Sequence, residues 1–186
     1  MIPTVSDFKY LGIVIDSNLK WEKHVTTTIN KAMRILGLLK STLWHADVKT
    51  RLIAYTTLCR SLLEYASDAW DPHLAKDIYA LEMVQNRVVR FISSLKGVVS
   101  VSGEKEQLDL QTLEERRENS RLDTLMKVLD CEHLHPVLID YFNNLNTCDD
   151  SCQTRNSTRG APKAQTISKD QFLYSFMPRT MRDLRE

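Results

Sequence analysis

The sequence predicts a mainly α protein: a helical bundle of four to five helices, led by one N-terminal β-strand or hairpin and followed by an irregular basic tail. Three observations carry this reading. Four long segments repeat apolar residues at steps of three and four, the period of one helix face. Five glycines and five prolines in 186 residues are too few for a turn-rich all-β fold. Hydrophobic residues make up 42% of the chain and charged residues 26%, which excludes disorder throughout and gives enough apolar mass for one ordinary core.

Residues 8–16, Phe8-Lys9-Tyr10-Leu11-Gly12-Ile13-Val14-Ile15-Asp16, are short, β-branched and end in the turn-like Asp16-Ser17-Asn18, as one strand or hairpin arm does. A lone strand is unstable in water, so this one needs partners that the rest of the chain barely offers. From Trp21 the period becomes helical, with Trp21, Val25, Ile29, Ala32, Met33, Leu36, Leu39 and Leu43 on one stripe. Lys20, Lys23, Lys31 and Arg34 fall together on the opposite side with Thr27 and Asn30, and no carboxylate lies among them.

Asp47 reads as the N-cap of a second helix over 48–70, its apolar positions being Val48, Leu52, Tyr55, Leu58, Leu62, Tyr65, Ala66 and Ala69. Asp71-Pro72 reads as an N-cap and first-turn proline opening a third helix over 72–94, with Leu74, Ile78, Leu81, Val84, Val88, Phe91 and Ile92 inward. Gly97 to Gly103 reads as a loop. Thr112-Leu113-Glu114-Glu115 is a capping box opening a fourth helix over 113–131, with Leu122, Leu125, Met126 and Leu129 inward. Pro136 starts a short fifth helix over Val137 to Phe142. Residues 143–166 are polar and read as loop or disorder. The tail carries Phe172, Tyr174 and Phe176, then Arg179, Arg182 and Arg185. Three regions follow: 1–20 with the strand, 21–142 with the helices, and 143–186 as polar linker and tail.

The net charge of +1 hides a segregation. Counted from the sequence, residues 1–60 carry +5, 61–100 −1, 101–150 −7 and 151–186 +4. A chain with basic ends and an acidic middle can bind an anion at one face while its total charge stays near zero. No apolar run approaches the ~18–20 residues of a membrane span, and the start MIPTVSDFKY lacks the basic and apolar regions of a signal peptide. The expectation is a soluble, intracellular chain with no membrane partner, in which Cys59, Cys131, Cys148 and Cys152 are free thiols rather than a disulfide framework.

The constellations that carry chemistry are weak. Asp149-Asp150 lies in a polar loop without the apolar flanks that fix metal-binding carboxylates on a strand end. Cys131, His133, His135, Cys148 and Cys152 are zinc-ligand types within 22 residues, but their spacing fits no usual finger or knuckle. They read as isolated loop thiols and surface histidines. No phosphate-binding glycine loop or nucleophile motif is present. No catalytic residue and no metal ligand is assigned. The basic stripe Lys20, Lys23, Lys31 and Arg34, with Arg87 and Arg90 on the third helix, offers phosphate contacts of the sequence-independent kind. Trp21, Trp44 and Trp70, at helix ends or on apolar stripes, read as core rather than base-stacking platforms.

Several runs resemble one family. Tyr10-Leu11-Gly12-Ile13-Val14-Ile15-Asp16-Ser17-Asn18-Leu19-Lys20-Trp21, with His24, is similar to the segment just after the palm in reverse transcriptases of non-LTR (LINE-type, jockey-like) retrotransposons. Arg60-Ser61-Leu62-Leu63-Glu64-Tyr65, leading to Trp70-Asp71-Pro72, resembles the family's R-P-L-L-E-Y…W-x-P run. Leu81-Glu82-Met83-Val84-Gln85 with Arg90-Phe91-Ile92, and Leu113-Glu114-Glu115-Arg116-Arg117 with Arg121-Leu122 and Met126-Lys127-Val128-Leu129, resemble later stretches in the same order. Thr158-Arg159-Gly160 and Ser175-Phe176-Met177-Pro178-Arg179-Thr180 resemble its closing signatures. Ser61 departs from the common proline, Leu184 stands near a usual tryptophan, and the chain stops at Glu186, which together suggest a degenerate or truncated copy.

The resemblance implies a C-terminal fragment of an RNA-directed DNA polymerase. It would comprise the primer-grip end of the palm (Tyr10, Leu11, Gly12), the helical thumb and a C-terminal extension. The magnesium-binding carboxylates would belong to a palm outside these residues, so the fragment needs no cofactor and is not an enzyme alone. Its implied partner is an RNA/DNA template–primer. The alternative is a non-catalytic helical module that binds a protein, or a remnant without function.

Overall fold

The computed structural model describes residues 6–94, 100–130, 179–180 and 183. The expected fifth helix, the polar loop, most of the tail, the cysteine–histidine group and Asp149-Asp150 lie outside these residues. The chain divides into two compact units, Met1–Arg117 and Glu118–Glu186.

The architecture is mainly α with an N-terminal hairpin. Strands β1 (Asp7–Tyr10) and β2 (Ile13–Asp16) pair antiparallel, with Tyr10 opposite Ile13, so of the expected strand or hairpin it is the hairpin that forms. Leu11 and Gly12 form its two-residue turn with φ of +45° and +89°, the sign that a type I′ turn requires at both positions. Three contacts fasten the hairpin to the helices. Val14 N–H donates to His24 Nδ1 at 3.2 Å, Lys23 Nζ pairs with Asp7 and Asp16, and Tyr65 O–H donates to the Leu11 carbonyl at 3.0 Å.

Helix α1 (Glu22–Thr42) buries Val25, Ala32, Leu36 and Leu39, as its stripe predicts. Asp47 caps α2 (Val48–Ala54) by accepting from Thr50 N–H. The second helix then departs from expectation. Residues Tyr55–Arg60 wind as a π-helix before α3 (Ser61–Glu64). The wider i→i+5 turn keeps residues four apart in line, so Tyr55, Cys59 and Leu63 face the core, while Leu58, on the expected stripe, is exposed. Tyr65 and Val48 are exposed as well. Ala66 adopts φ +50°, breaking the helix before α4 (Ser67–Trp70).

Helix α5 (Ala75–Ile92) starts three residues later than Pro72 suggests, and its N-cap is Leu74, without a side-chain cap. Its inner face holds Leu81, Val84, Val88, Val89 and Ile92. Helix α6 (Ser102–Gln107) occupies part of the expected loop. The capping box opens α7 (Leu113–Asp130) as read: Glu115 N–H donates to Thr112 Oγ1 and Thr112 N–H to Glu115 Oε2, each at 3.2 Å. On α7, Leu125 is buried but Met126 is exposed, and the buried positions include Arg117 and Arg121. Within the second unit, Arg121 Nη2 donates to Asp183 Oδ2.

In the first unit α1, the α2–π–α3 segment and α5 run up, down and up. Lys76 Nζ meets Glu22 Oε1 at 2.8 Å near the start of α5 and α1, and Arg87 Nη1 reaches Met33 Sδ at 3.6 Å further along. Cys59 Sγ lies 3.7 Å from the Ala32 carbonyl between them. Helices α1 and α5 are therefore parallel, and their C-termini share one end of the unit.

Candidate nucleic-acid interface

After Glu22, α1 carries Lys23, Lys31, Arg34 and Lys40 and no carboxylate. Lys31, Arg34 and Lys40 are exposed, as is Lys20, which precedes the helix. Lys23 is differently employed: it bridges Asp7 at 3.1 Å and Asp16 at 3.3 Å, and both carboxyls are held below their ordinary range, Asp7 by Ser6 and Lys23, Asp16 by the Asn18 N–H and Lys23. The outer face therefore presents Lys20, Lys31 and Arg34, with Lys23 tying down the hairpin.

Arg87 and Arg90 do not join that face. Arg87 contacts Met33, the residue before Arg34 and so ~100° around the helix from it. They belong to the seam between α1 and α5. There a cavity of about 380 Å³ opens at the shared C-terminal end, lined by Lys40, Arg51, Arg87, Arg90, Trp44, Phe91 and Ser94. Arg90 is half-buried, and its Nε is buried without a hydrogen-bond partner among the described residues.

Arg51 occupies the helix ends themselves. Two parallel helix C-termini place two partial negative charges side by side. Arg51 is buried and fills the gap: Nε donates to the Leu43 carbonyl at 3.1 Å, Nη1 to Phe91 at 3.0 Å and Ile92 at 3.3 Å, and Nη2 to the Trp44 carbonyl. Nη1 also donates to Ser94 Oγ at 2.7 Å. Its charge offsets both helix ends, so Lys40, Arg87 and Arg90 add positive charge beyond what those ends neutralise.

Sequence reading missed Lys40 and Trp44 as members of this group. Trp44, expected in the core, is 62% exposed; Trp21 is half-buried and Trp70 fully buried, as expected. The available signal was the spacing of Lys40 and Trp44, i and i+4, on the edge of the apolar stripe that Met33 also occupies.

The primer-grip-like residues sit at the hairpin tip. Tyr10 and Leu11 are exposed, and a Cβ on Gly12 would lie 3.4 Å from the Tyr65 ring. Phe8 is exposed beside them, which leaves an apolar edge on β1.

Other family-like motif residues pack on one another. Glu64 pairs with Arg116, and Arg117 Cζ lies 5.5 Å over the Trp70 ring and 3.9 Å (Nε) from Asp71 Oδ1. Glu82 Oε2 accepts from Leu113 N–H at 3.0 Å, capping α7, while its other oxygen pairs with Lys105. Gln85 accepts from Tyr55 O–H at 2.6 Å and donates to the Gln111 carbonyl at 2.8 Å.

Among the described residues no group of three or more His, Cys, Asp or Glu side chains could hold a metal, and no helix is long and apolar enough to cross a membrane. Cys59 is a free, buried thiol, pushed up to about 11 by desolvation. Comparison with family models, with curated proteins and with solved structures gave no match.

Proposed function

We propose that this chain is the thumb and post-palm portion of a non-LTR retrotransposon reverse transcriptase, which grips the template–primer by its phosphates and has no polymerase activity by itself. The observation that carries the binding half of this reading is α1: past Glu22 it holds four cations and no carboxylate, and Lys31 and Arg34 stand exposed on its outer face. Phosphate contacts of this type position a duplex without reading its sequence. The mutual packing of the motif residues Glu64 with Arg116 and Trp70 with Arg117 supports treating the resembling runs as one co-folded unit.

The test is binding to an RNA–DNA hybrid as a function of salt. Three phosphate contacts through Lys20, Lys31 and Arg34 contribute about −3 to the log–log slope. The K20Q/K31Q/R34Q variant is expected to lose that share. A slope unchanged in the variant removes this face from the interface. Primer extension by the purified chain is expected to be absent, and incorporation of a nucleotide would overturn that half of the reading.

Phe8, Tyr10 and Leu11 are 61%, 57% and 72% exposed on the hairpin. An apolar strand edge of this kind suits docking to further sheet, either the palm of a parent polymerase or another protein. Light scattering separates the cases: a monomer that binds the hybrid favours the polymerase reading, and self-association without such binding favours the protein module.

A further inference from the structure

We propose that the cavity at the shared C-terminal end of α1 and α5 is a nucleotide site for single-stranded nucleic acid, with Trp44 as the stacking platform for a base and Lys40, Arg87 and Arg90 as the clamp on its phosphates. It rests on the nucleic-acid reading above for the class of ligand, but it is a different surface from the outer face of α1.

The ligand must satisfy three features at once. It is anionic, because four cations and no carboxylate line the cavity among the described residues, and one of them, Arg51, already offsets the helix-end carbonyls. It has a flat apolar part, because the exposed Trp44 indole and Phe91 line the same space. It accepts hydrogen bonds, because the Lys40, Arg87 and Arg90 side chains that line the cavity are donors only. A nucleotide meets all three. A base stacks on an aromatic ring whatever its sequence, and the adjoining phosphates take the basic side chains. A base inside a duplex is stacked on both faces and leaves none for an indole, which points to an unpaired strand rather than the hybrid. A lipid headgroup or free phosphate would use the cations and leave Trp44 without a role.

The test uses the whole chain and Trp fluorescence, since Trp44 is the exposed indole of the three. The probes are a short oligouridylate, an abasic strand of equal length, and anionic phospholipid vesicles. Oligouridylate is expected to quench the emission, and W44A is expected to abolish the quench and weaken binding about ten-fold. K40Q/R87Q is expected to weaken both strands and reduce the salt slope by about 1.4. Trp44, Lys40 and Arg87 are exposed, so these variants leave the core intact. Equal affinity for the abasic strand, unchanged affinity in W44A, or quenching by vesicles alone would overturn the proposal. Loss of hybrid binding in K20Q/K31Q/R34Q with W44A silent leaves the duplex grip standing and this site refuted. The reverse pattern refutes the duplex grip and keeps the site.

Discussion

Arg51 and Phe91 lie forty residues apart in sequence, yet Arg51 Nη1 donates to the Phe91 carbonyl at 3.0 Å while its guanidinium sits 5.0 Å from the centre of the Phe91 ring. One side chain thus binds the last turn of α5 by hydrogen bond and by cation–π contact, and with its other nitrogens holds the end of α1.

Replacing Arg51 should therefore cost more than any surface cation. Arg51→Met strands several carbonyls at two helix ends and is expected to lower unfolding free energy by about 3–5 kcal/mol. Arg51→Lys should recover little, because an ammonium cannot spread donors over carbonyls from two helices. Urea denaturation of both variants checks this; a Lys variant as stable as the parent would show that charge alone suffices.

Much of this fold was legible, and the failures share a cause. The α1 stripe, the Asp47 cap and the Thr112–Glu115 box are local signals, set by residues three or four apart, and each is found where the sequence puts it. The π turn at Tyr55–Arg60 is not local in that sense: nothing in the period of 48–64 announces it, and it moves Cys59 inward and Leu58 outward. Arg51, Gln85 and Arg117 were invisible as core residues because polar side chains are buried only when distant partners receive them. The basic site was half legible. Charge on α1 is a property of composition, but the union of Lys40 and Trp44 with Arg87 and Arg90 depends on α1 and α5 being parallel, which is a tertiary fact.

Gln85 is the second buried polar bridge, fully enclosed with Tyr55. Gln85→Leu leaves the Tyr55 hydroxyl and the Gln111 carbonyl without it, and a loss of about 2–3 kcal/mol is expected. Tyr55→Phe in the same chain should restore part of that loss, because it removes the stranded hydroxyl. A double-mutant cycle on these two positions should give a coupling of about 1 kcal/mol or more, and strict additivity would refute the bridge.

His24 makes the fold sensitive to mild acid. Burial, aided by the charge of Lys31, holds its imidazole at about 4. Nδ1 accepts from Val14 N–H, so the proton sits on Nε2 facing Thr28, and the ring meets Trp70 edge-on at 4.7 Å. The unfolded imidazole titrates near 6.5. Above that pH both states are neutral and His24 adds no slope. Between about 6.5 and 4 the unfolded chain takes up a proton that the folded one refuses, so stability falls as pH drops, by at most about 1.4 kcal/mol per unit. Subtracting the pH profile of H24N, whose amide oxygen can still accept from Val14, should isolate this contribution; identical profiles would place the imidazole in a solvated state.

The hairpin tip carries strain that a substitution can relieve. Leu11 takes φ +45° with its side chain 72% exposed, so it bears left-handed strain and returns no burial. Asparagine suits the first position of a type I′ turn, and Leu11→Asn is expected to stabilise the chain by about 0.5–1 kcal/mol, raising Tm by about 1–4 °C. The Tyr65 hydroxyl bonds the backbone of Leu11, not its side chain, so that contact survives the exchange. In the proposed function the exposed Leu11 side chain meets the primer end. The same variant should then bind a hybrid with a recessed 3′ end more weakly while its affinity for a blunt hybrid holds. A variant that melts higher and binds both equally would make Leu11 a neutral strain and remove the tip from the grip.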